Sequence, residues 1–138
     1  MDIPKEIIEN TIQRGDILIS DFEGIDHQKF FAVMGVSEDR ICGFFFINSN
    51  ISHFIFNKPE LLNLQYPMRR RDYPFLRYDS FLGASSVKVR SVAKLSEEIV
   101  KGTTKIIGRM KEKHIKEVID MVLNSDVISK RDKDLYFK

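Results

Sequence analysis

From Asp16 onward the chain sets short apolar runs between tight polar breaks, a rhythm that predicts strands more than helices. Asp16-Ile-Leu-Ile-Ser20 reads as a first strand, Lys29-Phe-Phe-Ala-Val-Met34 as a second and Ile41-Cys-Gly-Phe-Phe-Phe-Ile-Asn48 as a third. A loop through Gly24 joins the first two, and a compact polar turn from Gly35 to Arg40 joins the next two. Short connections and aromatic content together predict an antiparallel meander. Ile51 to Phe56 predicts another short strand and Phe75 to Tyr78 a further one. Ser86-Val-Lys-Val-Arg90 alternates, with Val87 and Val89 on one face. The stretch from Asn57 to Pro74 carries three prolines, which predicts loop or short helix.

Helical signals lie toward the ends. Asp2 can cap a helix beginning near Pro4, with Ile7, Ile8 and Ile12 as its stripe and Arg14-Gly15 as its stop. Ser96-Glu-Glu-Ile-Val100 predicts one or two helical turns capped by Ser96, and Lys105 to Gly108 a short strand or the lead into the last helix. From Lys111 to Leu123, Ile115, Val118, Ile119 and Val122 follow the spacing of an amphipathic helix. The tail from Ser129 to Lys138 alternates charge signs and predicts a loosely held end, with Leu135-Tyr-Phe137 free to dock. The expected architecture is one domain over 1–138: an N-terminal helix over 1–13, a sheet over 14–110, a helix over 111–124 and a loose tail over 129–138. The fold class is α+β, mainly β, with the last helix covering one side of a small curled sheet.

Composition narrows the class. At 138 residues, 43% hydrophobic and 30% charged, the chain is an ordinary globular domain able to bury a core without staples. Twenty-two basic against 20 acidic residues leave a net charge of +2, too small to signal a nucleic-acid binder by charge alone. Any such affinity rests on a local patch, and Arg69, Arg70 and Arg71 are the only dense one. The lone cysteine, Cys42, lies in an apolar strand and is expected to pack as a small apolar residue. His27, His53 and His114 lack close cysteine partners, so neither a metal site nor a cofactor is expected. The start of the chain has no secretory pattern and no apolar run approaches a membrane span, so the expected location is the cytoplasm.

Chemistry concentrates in Arg77, Asp79 and His27. A cation, a carboxylate and an imidazole are the groups needed to cut RNA without a metal. The 2′-hydroxyl must lose a proton, the leaving 5′-oxygen must gain one, and the phosphorane charge must be neutralised. If Leu76-Arg77-Tyr78-Asp79 is a strand, Arg77 and Asp79 share a face and form one cleft wall. Asp79 is then the candidate base on the 2′-hydroxyl and Arg77 the stabiliser of phosphorane charge. An imidazole is the side chain best suited to moving protons near neutral pH, which makes His27 the candidate acid or a phosphate donor. Lys29 is a candidate phosphate contact, and Asn48 and Ser49 can hydrogen-bond a base or a phosphate oxygen. Phe44-Phe-Phe46 is read as core, with one ring facing outward to stack on a base or fill a dimer contact.

The order of these signals resembles the MazF/PemK family of toxin endoribonucleases, whose fold is an SH3-like barrel with a C-terminal helix. Arg14-Gly-Asp-Ile-Leu-Ile-Ser20 resembles the family's first strand, and His27-Gln-Lys29 followed by Phe30 to Met34 its polar loop and apolar second strand. Phe45-Phe-Ile-Asn48-Ser49 is similar to the strand whose polar end lines the RNA groove. Leu76-Arg-Tyr-Asp79 is similar to the segment carrying the catalytic Arg-x-Asp, and Ile106-Ile-Gly-Arg-Met110 to the closing strand before the last helix. The likeness runs from Arg14 to about Leu123. It departs from the family where Lys29-Phe30 stands for Arg-Pro, an exchange of a planar fork for a point charge, and in a longer segment between Phe56 and Pro74.

The resemblance implies a metal-independent endoribonuclease acting on single-stranded RNA, working as a homodimer and silenced by a cognate antitoxin. A non-catalytic barrel that binds a protein or nucleic-acid target, like the related gyrase-poison toxins or a degenerate relative, is the alternative.

Overall fold

The computed structural model describes residues 4–138, apart from the side chains of residues 5, 6 and 8. The expected Asp2 cap lies outside the described residues. Helix α1 spans Lys5–Thr11, and strands β1 (Asp16–Ser20), β2 (Lys29–Val36) and β3 (Ile41–Asn48) follow as the expected meander. Then come α2 (Pro59–Leu62), β4 (Gln65–Met68), β5 (Ser80–Gly83), β6 (Lys88–Ser91), α3 (Val92–Lys101), β7 (Thr104–Arg109), α4 (Glu112–Leu123) and α5 (Lys130–Tyr136). The class is α+β. Among the described residues helices occupy as much of the chain as strands, so β structure does not predominate.

The strands pair antiparallel in the order β4-β5-β3-β2-β1-β7, a path that ends at two edges and does not close on itself. The far edge of β3 is shared: its first half pairs with β6 and its last two residues with β5. That sharing explains why Ile51 to Phe56 is not the expected strand. β3 has no edge left to offer, and the segment coils into turns closed by Ile55 N–H donating to Ser52 O and Phe56 N–H to His53 O. Gln65–Met68, expected as loop, is instead a strand despite Pro67. It sits at the sheet edge, where a missing N–H costs no ladder bond.

Both faces of the sheet are covered, where the sequence predicted one. Ile17, Ala32, Met34, Phe45 and Ile47 pack with Ile115, Val118 and Val122 of α4 and with Tyr136 and Phe137. Their neighbours Leu18, Phe31, Val33, Cys42 and Phe44 point the other way, onto Ile12 beyond α1 and onto Val92 and Leu95 of α3. Alternating side chains feed two cores, so the strands read as unbroken apolar runs. The aromatic surplus of Phe44 to Phe46 therefore has a destination inside the chain, and supplies no reason of its own for a dimer. Val89, on the far strand β6, is 57% exposed.

Two helical expectations are also corrected. Ser91, not Ser96, caps α3, its hydroxyl accepting from Lys94 N–H at 3.1 Å, while Ser96 is buried in mid-helix and donates back to Val92 O. The tail from Ser129 is not loose: Ser129 caps α5, and Tyr136 and Phe137 are buried. Gly43 makes the dock possible, since a Cβ there would stand 2.5 Å from the Tyr136 ring. Arg14 ties the same end down, donating to Met34 O and to Tyr136 O.

Candidate functional site

Phe75 to Tyr78 is not a strand. Pro74 follows the buried Tyr73, Leu76 N–H donates to Tyr73 O at 3.0 Å, and the chain turns there. The resulting loop is braced from inside. The Tyr73 hydroxyl hydrogen-bonds His114 Nδ1 at 2.7 Å and accepts from Lys111 N–H, while Lys111 Nζ pairs with Asp72 at 2.7 Å. His114 is half-buried and holds this loop against α4. Phe75 lies 5.7 Å from the Phe30 ring and rests against Gly108, where a Cβ would stand 3.0 Å from its edge. With Tyr73 and Leu76 buried, the next three residues are left exposed.

Alternation no longer governs Arg77 and Asp79, and they part. Arg77 lines a cleft of about 380 Å³ together with His27, Lys29, Ser49, Tyr78 and Ser80. Asp79 does not line it; its Oδ1 accepts from Arg70 N–H at 2.9 Å. Arg70 is used within the loop as well, its Nε donating to Leu76 O at 3.0 Å. Arg71 lies 4.0 Å from Asp72, and none of Arg69, Arg70 and Arg71 lines the cleft. The predicted arginine patch thus contributes no side chain to the cleft wall.

The cleft's cationic side is built by the start of β2. Lys29 is half-buried, its Nζ donates to Asn48 Oδ1 and lies 5.2 Å from the centre of the Phe46 ring. Burial lowers the Lys29 ammonium pKa from its usual value. Its polar neighbour is a neutral amide, and among the described residues no carboxylate forms an ion pair with Lys29 or Arg77. His27 is exposed, and its Nδ1 lies 3.0 Å from Asp26 Oδ1. If Nδ1 carries the proton, Nε2 is left as an acceptor. The hydrogen bond from His27, and then its charge, hold the Asp26 carboxyl below the usual carboxylate range.

His27, Lys29, Ser49 and Arg77 therefore line one cleft, with Asn48 behind Lys29. Gln28, Tyr78 and Ser80 were not foreseen as lining residues. The 63% exposed Tyr78 carried a signal, an aromatic ring between two charged residues at a loop tip. No carboxylate lines the cleft, and among the described residues no group of three or more His, Cys, Asp or Glu could hold a metal ion. Chemically, the arrangement suits an anion with several oxygens, flanked by a group able to take a proton. No helix among the described residues is long and apolar enough to cross a membrane. No family model matches this chain, and a search of curated proteins found none that matches it.

Proposed function

We propose that the cleft binds the phosphodiester backbone of single-stranded RNA and cleaves it without a metal. The observation that carries this reading is a half-buried lysine, an arginine and a histidine lining one cleft that no carboxylate lines. A desolvated ammonium facing only an amide and a ring gains an anion's charge at little further desolvation cost. Arg77 and Lys29 hold the scissile phosphate and stabilise the phosphorane. His27, with Nδ1 directed to Asp26, accepts the 2′-hydroxyl proton on Nε2. The 2′-oxygen attacks phosphorus and the bond to the 5′-oxygen breaks; the leaving oxygen takes a proton from solvent water, to which His27 returns the one it accepted, and a 2′,3′-cyclic phosphate and a 5′-hydroxyl result.

The kinship with MazF/PemK toxins and their SH3-like barrel belongs to this proposal. So do a homodimeric state, a cytoplasmic setting and a cognate antitoxin that covers the cleft. Incubating the protein with end-labelled single-stranded RNA in excess chelator tests the reading. Cleavage to cyclic-phosphate ends supports it; a strict magnesium requirement, or no RNA binding, overturns it.

A second reading, binding without cleavage, is favoured by one observation. The carboxylate expected as the base is engaged with Arg70 N–H outside the cleft. RNA bound in an Arg77-dependent manner but never cut would select it.

A further inference from the structure

The turn after β3 sends its residues to two sides. Ser49 lines the cationic cleft, whereas Asn48 and Asn50 line a second hollow of about 570 Å³, with His53, Phe54, Phe56 and Gln65. The two hollows therefore adjoin across Ser49, and Asn48 joins them, because its Oδ1 accepts from Lys29 Nζ. Phe54 is 84% exposed and Phe56 51%, and the His53 ring meets Phe56 edge-on at 5.4 Å. These rings are not on a slack loop. Lys58 N–H donates to Ile55 O, Phe54 N–H to Ser52 Oγ, and the two turn bonds already described fix the rest.

Amide chemistry completes the hollow. Gln65 uses its Nε2 on Leu61 O and Ser85 Oγ, leaving Oε1 as the group to accept. Asn48 uses its Oδ1 on Lys29, leaving Nδ2 to donate. Asn48 and Gln65 line this hollow and also the small neighbouring one that holds Gly83, and both groups lie within 4 Å of where a Gly83 Cβ would stand, Nδ2 at 3.2 Å and Oε1 at 3.9 Å. An exposed aromatic platform beside a donor and an acceptor is the combination that takes a splayed nucleobase, the rings stacking on its face and the amides reading its edge.

We infer that this second hollow is a nucleobase subsite, taking a base of the nucleotide next to the phosphate held between Lys29 and Arg77. The inference rests on the RNA-binding reading above. Continuity with a cationic cleft favours a base over an apolar peptide, which would leave the amides at Gly83 without partners.

The test uses the full chain and two labelled probes that cannot be cut: a short 2′-O-methyl RNA and the same backbone without bases. Both rings are exposed, so the Phe54→Ala/Phe56→Ala variant keeps the fold, verified by its melting curve. It should lose about tenfold in affinity for the base-bearing probe and nothing for the abasic one. Arg77→Ala should weaken both probes alike. Unchanged affinity in the phenylalanine variant overturns the subsite and leaves that face to a protein partner. An equal loss on both probes overturns it too, since the rings would then be touching backbone. Failure of the wild-type chain to bind either probe removes the RNA reading and the subsite together. Arg77-dependent binding that ignores the phenylalanines removes the subsite alone.

Discussion

The Asp79 carboxylate accepts a 2.9 Å hydrogen bond from the backbone N–H of Arg70, closing a loop whose tip carries Arg77. Through that bond, and the one from Arg70 Nε to Leu76 O, Asp79 fixes where the guanidinium of Arg77 begins. A carboxylate in this position serves as a staple before it serves as a base.

The staple and the base differ in what an amide can replace. Asp79→Asn keeps an oxygen that accepts from Arg70 N–H, so RNA cleavage should fall by no more than about tenfold, whereas Asp79→Ala should lose more by freeing the loop. Single-turnover cleavage with both variants reads the difference. A loss of about a hundredfold or more in the asparagine variant, with RNA affinity intact, would make Asp79 the base instead.

Arg77 and His27 should separate by the step each serves. Arg77→Ala removes charge from the phosphate in ground and transition states, so it should weaken RNA binding and lower the cleavage rate about a hundredfold. His27→Gln should leave affinity within about threefold while the rate falls about a hundredfold. Titration of a non-cleavable RNA beside the kinetic assay checks both. Wild-type rates in His27→Gln would assign proton abstraction to another group.

Cys42 tests how closed the second core is. Burial pushes its thiol up to about 12 from the usual 9.0, and Asp16 adds to the shift. The folded chain thus keeps the proton that the unfolded chain loses above about pH 9, so this group leaves stability unchanged below that pH and lowers it as pH rises further. A disulfide reagent at about pH 8 should leave the native protein unmodified and label it at once in urea. Fast labelling of the native chain would mean that the core under α3 opens.

What the sequence made legible follows from how local each signal was. Asp16–Ser20 and Ile41–Asn48 match their predicted bounds, because turn residues bracket apolar runs that only a two-sided sheet can hold. α4 was legible from Ile115, Val118 and Val122, whose helical spacing is the face it buries. Misreadings arose where pairing partners or tertiary contacts decide. Ile51 to Phe56 looks like a strand but finds the edge of the preceding β3 already taken, and Gln65–Met68 is a strand because β5 accepts it despite Pro67. The site divides along the same line. His27, Lys29 and Arg77 could be picked by chemical type alone, whereas the side taken by Asp79 depended on a strand that is a turn. Gln28 and Ser80 carried no signal in type or spacing that marks a cleft wall.

The tail offers the most direct check on the fold. Its alternating charges, Lys130-Arg-Asp-Lys-Asp134, hide the two rings that follow, and those rings are buried among Met34, Phe45 and their neighbours. Phe137 lies 5.6 Å from Phe45, and Tyr136 rests on Gly43, so the last helix fills a notch cut for it by two strands. Tyr136→Ala removes a ring that is 4% exposed and should cost about 3–5 kcal/mol, a large share of a small domain's stability. Gly43→Ala should be comparably harmful, because its methyl would meet the ring at 2.5 Å. In the Tyr136→Ala background the same glycine change should cost far less, since the clash has gone and a methyl partly fills the cavity. Urea unfolding of the three variants measures that coupling. Additive effects would mean that the ring and the notch are energetically independent, and that the tail is held by Arg14 and Phe137 alone.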